Sequence, residues 1–209
     1  SGAIDYETQS SYIINVSSYD ASNTITQVFT ILVNDINEPS TNITLDNNSV
    51  DENATTNSHV GFFSTEDPDG NNSFVYTLNT SDVPFEISGN ELITSGAIDY
   101  ETQSSYIINV SSSDGEYTTT QDFTVLVNDI NEAPTNITLD NNTVDENATT
   151  KTHIGFFSTQ DEDEGSSFVY TLNTSGVPFI ISGNELLTSD VIDYETQSSY
   201  IINVSSSDG

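Results

Sequence analysis

Residues 98–112 read IDYETQSSYIINVSS. The same letters stand at residues 4–18 and at residues 192–206, so successive copies are 94 residues apart (98 − 4 and 192 − 98). A second stretch, VNDINE, keeps the same interval at residues 33–38 and 127–132. An internal repeat of this length has the size of a domain. In both stretches the acidic residues recur at the same positions of the repeat. A hydrophobic core alone does not require acidic residues at fixed positions.

The alternation of side chains in the repeated stretch predicts a β-strand. Tyr106, Ile108 and Val110 alternate with Ile107 and Asn109, which is the period of two expected of a strand with one buried face. The same alternation follows in Phe123, Val125 and Val127, which are separated by Thr124 and Leu126. We expect further short strands at residues 43–45, 60–63, 74–78, 85–87 and 92–93.

Turn-forming residues separate these apolar runs. Clusters of Asp, Asn, Gly, Ser and Pro occur at residues 46–48, 67–70 and 88–90. About seven short strands with such punctuation in one repeat predict an all-β fold, an antiparallel sandwich. No stretch has the pattern of an amphipathic helix.

The repeat predicts three parts in the chain. We assign residues 1–38 to the C-terminal part of one repeat, residues 39–132 to a complete repeat, and residues 133–209 to the N-terminal most of a third. We therefore expect the chain to be cut from a longer protein. We also expect the first part not to fold alone, because a hairpin cannot form two packed sheets.

The charge of the chain excludes several kinds of partner. Its 209 residues include 33 acidic side chains and one basic side chain, Lys151, for a formal net charge of −32. Nucleic acids and anionic membranes need clustered Lys and Arg, so we expect neither as a partner. Repulsion at this charge density opposes compact folding unless cations neutralise part of it. Ten Tyr and ten Phe nevertheless supply core material, which favours a folded array over a disordered chain.

Sulfur contributes nothing to this fold, because the chain has neither Cys nor Met. Disulfides and redox chemistry at sulfur are therefore excluded, and bound metal is another way to stabilise a small extracellular domain. No apolar run approaches the roughly 20 residues of a membrane span, so we expect no membrane insertion in this segment.

The acids that recur lie in turns and at the ends of predicted strands. In and beside the complete repeat they are Glu52, Asp67, Asp69, Asp99, Glu101, Asp114, Asp129 and Glu132, together with Asn131. Their counterparts further along the chain are Glu146, Asp161, Asp163, Asp193, Glu195 and Asp208. Acids two residues apart point to one face of an extended chain. Converging carboxylates and amides suit Ca²⁺, whereas Zn²⁺ favours Cys and His and Mg²⁺ usually keeps several waters.

Five motifs in order resemble those of the cadherin repeat, in the form found in large bacterial surface adhesins. They are VDENA (50–54), similar to the PEN segment; EDPDG (66–70), similar to the DxD turn; IDYE (98–101), similar to LDRE; VSSSD (110–114), similar to VxAxD; and DINEAPT (129–135), similar to the linker. The resemblance covers the whole chain and implies tandem seven-stranded Greek-key sandwiches of immunoglobulin-like topology, joined end to end. It also implies calcium at each junction between repeats.

The resemblance implies which residues serve each junction. At the first junction the ligands would be Asp5, Glu7, Asp35, Asn37, Glu38, Asp67, Asp69 and Asp114. At the second they would be Glu52, Asp99, Glu101, Asp129, Asn131, Glu132, Asp161, Asp163 and Asp208. Asp20 would serve a junction upstream, and Glu146, Asp193 and Glu195 one downstream. We expect the added acids Glu162 and Glu164 to be solvated.

Other residues point to no enzyme. His59 and His153 occupy equivalent positions beside apolar runs, and we interpret them as structural histidines at strand ends. No GxSxG stretch occurs, and carboxylate pairs repeated in every unit do not suggest a glycosidase site. Sequons such as those at Asn42, Asn53 and Asn136 (with Asn147) are weak signals for glycosylation.

The leading functional hypothesis is an extracellular stalk. Uniform repeats that contact neighbouring repeats of the same chain suit a calcium-stiffened extender in a cell-surface or secreted adhesin, which mediates cell adhesion by projecting a binding module. One alternative is that the repeats themselves bind a cell-surface polysaccharide or pair with like repeats. Tyr19, Tyr117, Phe62 and Phe63 are candidate contacts for that role, although we expect most of them in the core. Another alternative is a subunit of an end-to-end surface filament.

Overall fold

The computed structural model describes residues 2–70, 73–163, 165 and 167–209. Over these residues the chain is all-β, and no helix is long and apolar enough to cross a membrane. The chain divides into two compact units, Ser1–Asp129 and Ile130–Gly209.

Unit 1 contains a hairpin followed by a sandwich. The hairpin consists of β1 (Ser11–Tyr19) and β2 (Thr24–Leu32). The sandwich consists of β3 (Asn42–Leu45), β4 (Ser49–Asp51), β5 (His59–Glu66), β6 (Val75–Leu78), β7 (Phe85–Ser88), β8 (Glu91–Thr94), β9 (Ser105–Ser113) and β10 (Thr118–Asn128).

Two four-stranded sheets form this sandwich, in the orders β3-β5-β8-β7 and β4-β10-β9-β6. The pairs are antiparallel except that β10 runs parallel to β4, with Leu126 opposite Ser49. The expected seven strands appear as eight because the first strand is split between the sheets, β3 in one and β4 in the other. The fold class predicted from the repeat, a β-sandwich, is confirmed.

The core lies between the two sheets and follows the predicted alternation. Ile108 and Val125 are fully buried, whereas Ile107, between two inward-facing residues, is 68% exposed. Phe63 packs on Tyr76 and Phe123 with ring centroids 5.5 Å away in both cases. Burying one such side chain contributes about 1.5–3 kcal/mol, so this interior is the main source of stability in unit 1.

A β-bulge lies where β5 meets β8, between His59 and Gly61. At Gly61 a Cβ would overlap the backbone oxygen of Asn47, so the close approach requires glycine. The same overlap would occur between Gly155 and Asn141, 94 residues later. The bulge is therefore a repeated feature of the fold.

Unit 2 contains a less complete sandwich. Its strands are β11 (Asn136–Leu139), β12 (His153–Gln160), β13 (Val169–Leu172), β14 (Phe179–Ser182), β15 (Glu185–Thr188) and β16 (Val204–Ser207). They form the sheets β11-β12-β15-β14 and β13-β16. Residues 143–145, which correspond to β4, form no strand, and among the described residues β13 and β16 pair with each other.

A left-handed turn precedes β5 in unit 1 and β12 in unit 2. Asn57 and Lys151 both have φ of 66°, and each donates its N–H across 2.7 Å, to the carbonyl oxygens of Thr94 and Thr188 respectively. The side chain of Lys151 is exposed. The repeat thus reproduces backbone geometry even where the side chain differs.

The hairpin of unit 1 leaves most of its apolar side chains in solvent. Among the described strands, β1 and β2 pair only with each other. Phe29 and Ile31 are 47% and 49% exposed, although their counterparts Phe123 and Val125 pack into the sandwich core. A two-stranded hairpin that no second sheet covers has only marginal stability in water.

Candidate metal centres

Four carboxylates from separated parts of unit 1 converge in the first cluster. They belong to Glu7, Asp35, Glu38 and Asp69, and one ligand atom from each lies within 4.8 Å of all the others. Glu7 precedes β1, Asp35 and Glu38 follow β2, and Asp69 lies in the turn after β5. The cluster therefore joins the hairpin segment to the sandwich.

Hydrogen bonds from the backbone hold this cluster in place. Glu38 donates its N–H to Asp69 Oδ2 across 2.8 Å, and Asp69 donates its N–H to Asp67 Oδ1 across 3.0 Å. Asn37 Nδ2 donates to Asp114 Oδ2 across 3.0 Å. The resemblance assigned all these residues to the first junction. The hydrogen bonds link Glu38, Asp69 and Asp67 in one set, and Asn37 with Asp114 in another.

Several oxygens of this site lack a hydrogen-bonding partner. Among the described residues, Glu38 Oε2, Asp67 Oδ2 and Asp69 Oδ1 are buried and accept no hydrogen bond. A buried carboxylate oxygen without a donor is costly, because its lost hydration is not replaced. The donor set, carboxylates with a nearby amide, is what Ca²⁺ takes. The residues present therefore fit a hard divalent cation.

The electrostatics of Glu38 show the same crowding. Burial raises the pKa of its carboxyl, helped by a hydrogen bond with the Asp69 carboxyl and by the charges of Glu7, Asp69 and Asp35. Like charges held together favour protonation. A divalent cation would relieve the repulsion without a proton.

Asp5 and Asp99 are held differently from the clustered acids. Asp5 accepts hydrogen bonds from the N–H groups of Glu7 and Thr8 and from Thr8 Oγ1, the last across 2.7 Å. Asp99 accepts from the N–H and the hydroxyl of Thr102, both across 2.9 Å. These bonds lower the pKa of both aspartates. Neither belongs to a carboxylate cluster found among the described residues, so each fixes its turn.

A second cluster in unit 1 gathers Glu52, Glu101 and Asp129. Glu52 is 4% exposed, and its Oε2 accepts the N–H of Tyr100 across 2.8 Å. Burial raises the pKa of Glu101, and the neighbouring charges of Glu52 and Asp129 add to it. The predicted ligands of the second junction that belong to unit 1 are thus brought together, except Asp99.

Unit 2 reproduces the other half of the arrangement. Asp161, Asp163 and Asp208 form a cluster. Glu132 donates its N–H to Asp163 Oδ2 and Asn131 Nδ2 donates to Asp208 Oδ2, both across 2.8 Å. These bonds correspond to those of Glu38 and Asn37 in unit 1, which span 2.8 and 3.0 Å. Residues that are 94 positions apart in the sequence therefore make the same hydrogen bonds in the two units.

A further cluster in unit 2 contains Glu146, Asp193 and Glu195, which are all exposed. These are the residues that the resemblance assigned to a downstream junction. Glu146 is exposed, whereas its counterpart Glu52 in unit 1 is 4% exposed.

The remaining predicted acids occupy ordered turns. Asp114 accepts the N–H groups of Glu116 and Tyr117, each across 2.7 Å. The bond from Tyr117, the amide of Asn37 and the bond from Glu116 together lower the pKa of Asp114. Asp20 accepts from the N–H of Asn23 across 2.8 Å. Glu162 is exposed, and Glu164 lies outside the described residues.

Sequence reasoning overlooked the threonines of the repeated motif. Thr8, Thr102 and Thr196 each donate a hydroxyl hydrogen bond to the aspartate three residues earlier. The signal was present, since Asp and Thr keep this spacing in all three copies. Such local bonds fix turns.

The histidines begin β5 and β12, as expected of residues at strand ends. His59 Nδ1 lies 2.7 Å from Glu91 Oε1, and the His59 ring lies 4.7 Å from that of Phe62. The expectation that most candidate aromatic contacts lie in the core was wrong. Phe63 is buried, but Tyr19 and Phe62 are exposed, as is Tyr117 at 37%, because they lie at strand ends or on outward faces.

No family model matches the sequence. Among solved structures, the chain is similar to the extracellular cadherin domains 1–4 of protocadherin gamma B7, with 18% identity over 99% of this chain and 55% of that one, and a TM-score of 0.72. It is also similar to domains 1–5 of protocadherin gamma B2, with 20% identity over 99% of this chain and 44% of that one, and a TM-score of 0.70.

A third similar structure is EC1–2 of human protocadherin-24, with 17% identity, a TM-score of 0.64, and coverage of 81% of this chain and 94% of that one. The chain spans about half the length of the two gamma protocadherin structures. These likenesses show that it has the fold of cadherin extracellular domains.

Proposed function

We propose that this chain is a segment of a calcium-stiffened stalk in an extracellular cell-surface adhesin. Its work is mechanical, and it serves cell adhesion by holding a binding module away from the surface to which the protein is attached. The proposal gives the repeated units the role of spacers and assigns them no catalysis.

The cluster of Glu7, Asp35, Glu38 and Asp69 carries this proposal. Its members come from both sides of the connection at residues 33–38, and their oxygens converge without a basic side chain to neutralise them. A group that binds all four at once fixes the hairpin segment against the sandwich. The residues of this site therefore suit a connection whose geometry is fixed by a bound cation.

Calcium is the cation that suits the donor set. It takes about six to eight oxygen ligands, and Glu7, Asp35, Glu38, Asp67 and Asp69 would hold it in unit 1. When bound, it supplies the positive charge that lets these carboxylates converge. The corresponding residues for the next connection would be Glu52, Glu101, Asp129, Asn131, Glu132, Asp161, Asp163 and Asp208, with Asp5, Asp99 and Asp114 fixing the turns that present them.

The fold and the composition support the same role. The cadherin-type fold occurs in the extracellular domains named above, and the near-identity of the units suits a spacer that needs uniform connections. A net charge of −32 keeps repeats apart unless cations are bound. Calcium outside cells is abundant enough for weak sites, with Kd in the range of about 10⁻⁴–10⁻³ M, to be filled.

Titration calorimetry on the 209-residue chain, paired with small-angle scattering, tests the proposal. We expect several calcium ions to bind, the melting temperature to rise, and the scattering profile to change from a flexible to a stiff chain. Magnesium at the same concentration is the control for general screening. No calcium binding at millimolar concentration, or an unchanged scattering profile after chelation, would remove the mechanism.

A second candidate function is recognition by the repeats themselves. It is favoured by Phe62 and Phe156, which are 44% and 43% exposed at equivalent positions and each lie against a histidine ring. Exposed aromatic faces are surfaces on which sugars or like repeats can stack. If the repeats recognise a partner, the wild-type chain should bind sugars on a glycan array or bind other copies of the repeats, and the double variant Phe62→Ala/Phe156→Ala should lose that binding. If the chain is only a stalk segment, neither the wild-type chain nor the variant should bind sugars or other repeats.

A further inference from the structure

The turn after β5 contains a chemically labile pair of residues, Asp69 and Gly70. In an Asp–Gly sequence the backbone nitrogen of the glycine can attack Cγ of the aspartate, because glycine has no Cβ to hinder the approach. The hydroxyl of the carboxyl group leaves as water, and a five-membered succinimide ring forms. Water then opens the ring at either carbonyl, and opening at the former backbone carbonyl gives isoaspartate, with no net change in atoms or electrons.

Gly70 leaves its backbone nitrogen accessible for this attack. The residue is exposed and has a φ of 68°, and a Cβ added to it would meet no atom of the described residues within 4 Å. Its N–H donates to the carbonyl oxygen of Asp67 across 3.1 Å. The nitrogen is therefore held by a bond within its own exposed turn, and local opening of that turn releases it.

The carboxyl group of Asp69 is held on one side and crowded on the other. Its Oδ2 accepts the N–H of Glu38 across 2.8 Å, whereas Oδ1 is buried and accepts no hydrogen bond among the described residues. Three further carboxyls of the first carboxylate cluster lie against it. A succinimide is uncharged, so its formation removes one carboxylate from this crowd and relieves the repulsion.

Unit 1 contains one further Asp–Gly pair, at residues 114–115, whose counterpart is residues 208–209. Asp114 Oδ1 accepts the N–H groups of the second and third residues after it, each across 2.7 Å, and Oδ2 accepts from Asn37 Nδ2 across 3.0 Å. These bonds must break before the carboxyl group can turn towards the next nitrogen. The fold therefore protects this pair better than it protects Asp69.

Unit 2 has a different residue at the equivalent turn. Asp163 is the counterpart of Asp69, and it is followed by Glu164 instead of glycine. Glu132 donates its N–H to Asp163 Oδ2 across 2.8 Å, as Glu38 does to Asp69. The side chain of a glutamate hinders the attack of its own backbone nitrogen, so the chain contains a matched comparison for the reaction.

We propose that Asp69–Gly70 is a modification site, at which Asp69 converts to isoaspartate and thereby dismantles the first carboxylate cluster. In isoaspartate the main chain runs through Cβ and Cγ, which lengthens the backbone by one carbon. The free carboxyl group is then attached directly to Cα. It moves away from the other three carboxyls, and the cluster loses one ligand.

Asp69 should react more slowly when it is a calcium ligand, because its carboxyl group is then held by the cation and cannot turn towards the nitrogen of Gly70. This part of the inference rests on the proposed function, whereas the position of the reaction does not. The connection before β3 would then age where calcium is scarce, and the equivalent turn beside Asp163 would not.

Isoaspartate mapping of the whole 209-residue chain tests the site. The chain is incubated near neutral pH in chelator, and isoaspartate is measured by enzymatic methylation and by mass spectrometry of proteolytic peptides. We expect Asp69 to react about tenfold faster than Asp163, and faster than Asp114 as well. Equal rates at Asp69 and Asp163, or a faster reaction at Asp114, would overturn the modification site.

The variant Gly70→Glu is the matched control, because it copies the sequence of unit 2. It should stop isoaspartate formation at Asp69. After the incubation, the variant should bind as many calcium ions as before, whereas the wild-type chain should bind fewer. A wild-type chain that carries isoaspartate at Asp69 and still binds calcium as before would overturn the claim that the cluster is dismantled.

The same incubation in millimolar calcium distinguishes failure of the modification site from failure of the proposed function. A slower reaction of Asp69 in calcium than in chelator supports protection by ligation. Equal rates in the two solutions, with the reaction still faster at Asp69 than at Asp163, would overturn protection by calcium and count against the calcium site, while the modification site would stand.

Discussion

The backbone N–H of Glu38 donates a hydrogen bond to Asp69 Oδ2 across 2.8 Å, while the side-chain carboxyls of the two residues belong to one crowded cluster. A main-chain bond thus holds together two acids that repel each other. The same bond occurs between Glu132 and Asp163 in unit 2, also across 2.8 Å. The backbone hydrogen bond therefore keeps the two carboxyl groups close to each other in both units.

Glu38→Gln should have opposite effects in calcium and in chelator. It removes one charge from the cluster, so we expect calcium affinity to fall about tenfold or more at this site. In chelator the same change relieves repulsion, and the melting temperature should rise. Calorimetric titration and thermal denaturation of the whole chain measure both effects.

The matched control for Glu38→Gln is Glu86→Gln, which changes the same group on an exposed position of β7 outside the clusters. It should alter neither affinity nor the melting temperature appreciably. If Glu38→Gln lowered the melting temperature in chelator, the carboxyl would be a stabilising partner in the cluster, and our account of the site would be wrong.

Mild acid should stabilise the chain when calcium is absent. The pKa values of Glu38 and Glu101 are raised above the ordinary 4.5, so the folded state binds protons more readily than the unfolded state. Stability should therefore increase as the pH falls from 7 through these raised values. Below about 3.8 it should decrease, because the lowered pKa values of Asp5, Asp99 and Asp114 mean that their stabilising charges are then lost.

Melting temperatures at half-unit pH steps check this prediction, with calcium and with chelator. Protons compete with the cation for Glu38 and Glu101, so the melting temperatures in calcium and in chelator should approach each other as the pH falls through the raised pKa values of these groups. A chelated chain that loses stability steadily from pH 7 downwards would contradict the assigned crowding.

Much of the fold could be predicted from the sequence, because the period of two records which side chains face the core. The prediction of a strand around residues 60–63 corresponds to β5, and that at residues 106–110 to β9. The short strand β4 could not be predicted. It is held by parallel pairing with residues 126–128, far away in the chain, and its own sequence has no strand pattern.

The candidate sites were predictable in part for a related reason. Repetition identified which acids recur, but it did not separate those that cluster from those that fix turns. Asp99 and Glu101 stand two residues apart in one motif, yet Asp99 is satisfied by Thr102 and Glu101 joins Glu52. The spacing of acids alone shows neither these local hydrogen bonds nor these contacts between carboxylates.

Equivalent isoleucines should have unequal effects on stability. Ile108→Ala removes a side chain that is 0% exposed, and we expect it to lower the free energy of unfolding by about 2–5 kcal/mol. Ile14→Ala changes the same position of the repeat in the hairpin, where it is 43% exposed, and should cost about 0.5 kcal/mol or less. Urea denaturation followed by tyrosine fluorescence measures both, and equal losses would mean that the hairpin is covered in solution.

Gly61→Ala should destabilise unit 1 although it adds only a methyl group. The added Cβ would overlap the backbone oxygen of Asn47, which cannot move without disturbing the connection between β3 and β4. We expect a loss of about 1–3 kcal/mol. Ser64→Ala, on the exposed face of the same strand, is the control. A neutral Gly61→Ala would show that the connection shifts freely.

The turn at Lys151 has a consequence for survival among digestive enzymes. Proteases of the trypsin type cut after Lys or Arg, and this chain offers them a single bond. That bond lies where the backbone has a φ of 66° and donates its N–H to Thr188, so an extended fit into a protease cleft requires local opening. The rate of degradation by such enzymes is therefore governed by how often this part of unit 2 opens.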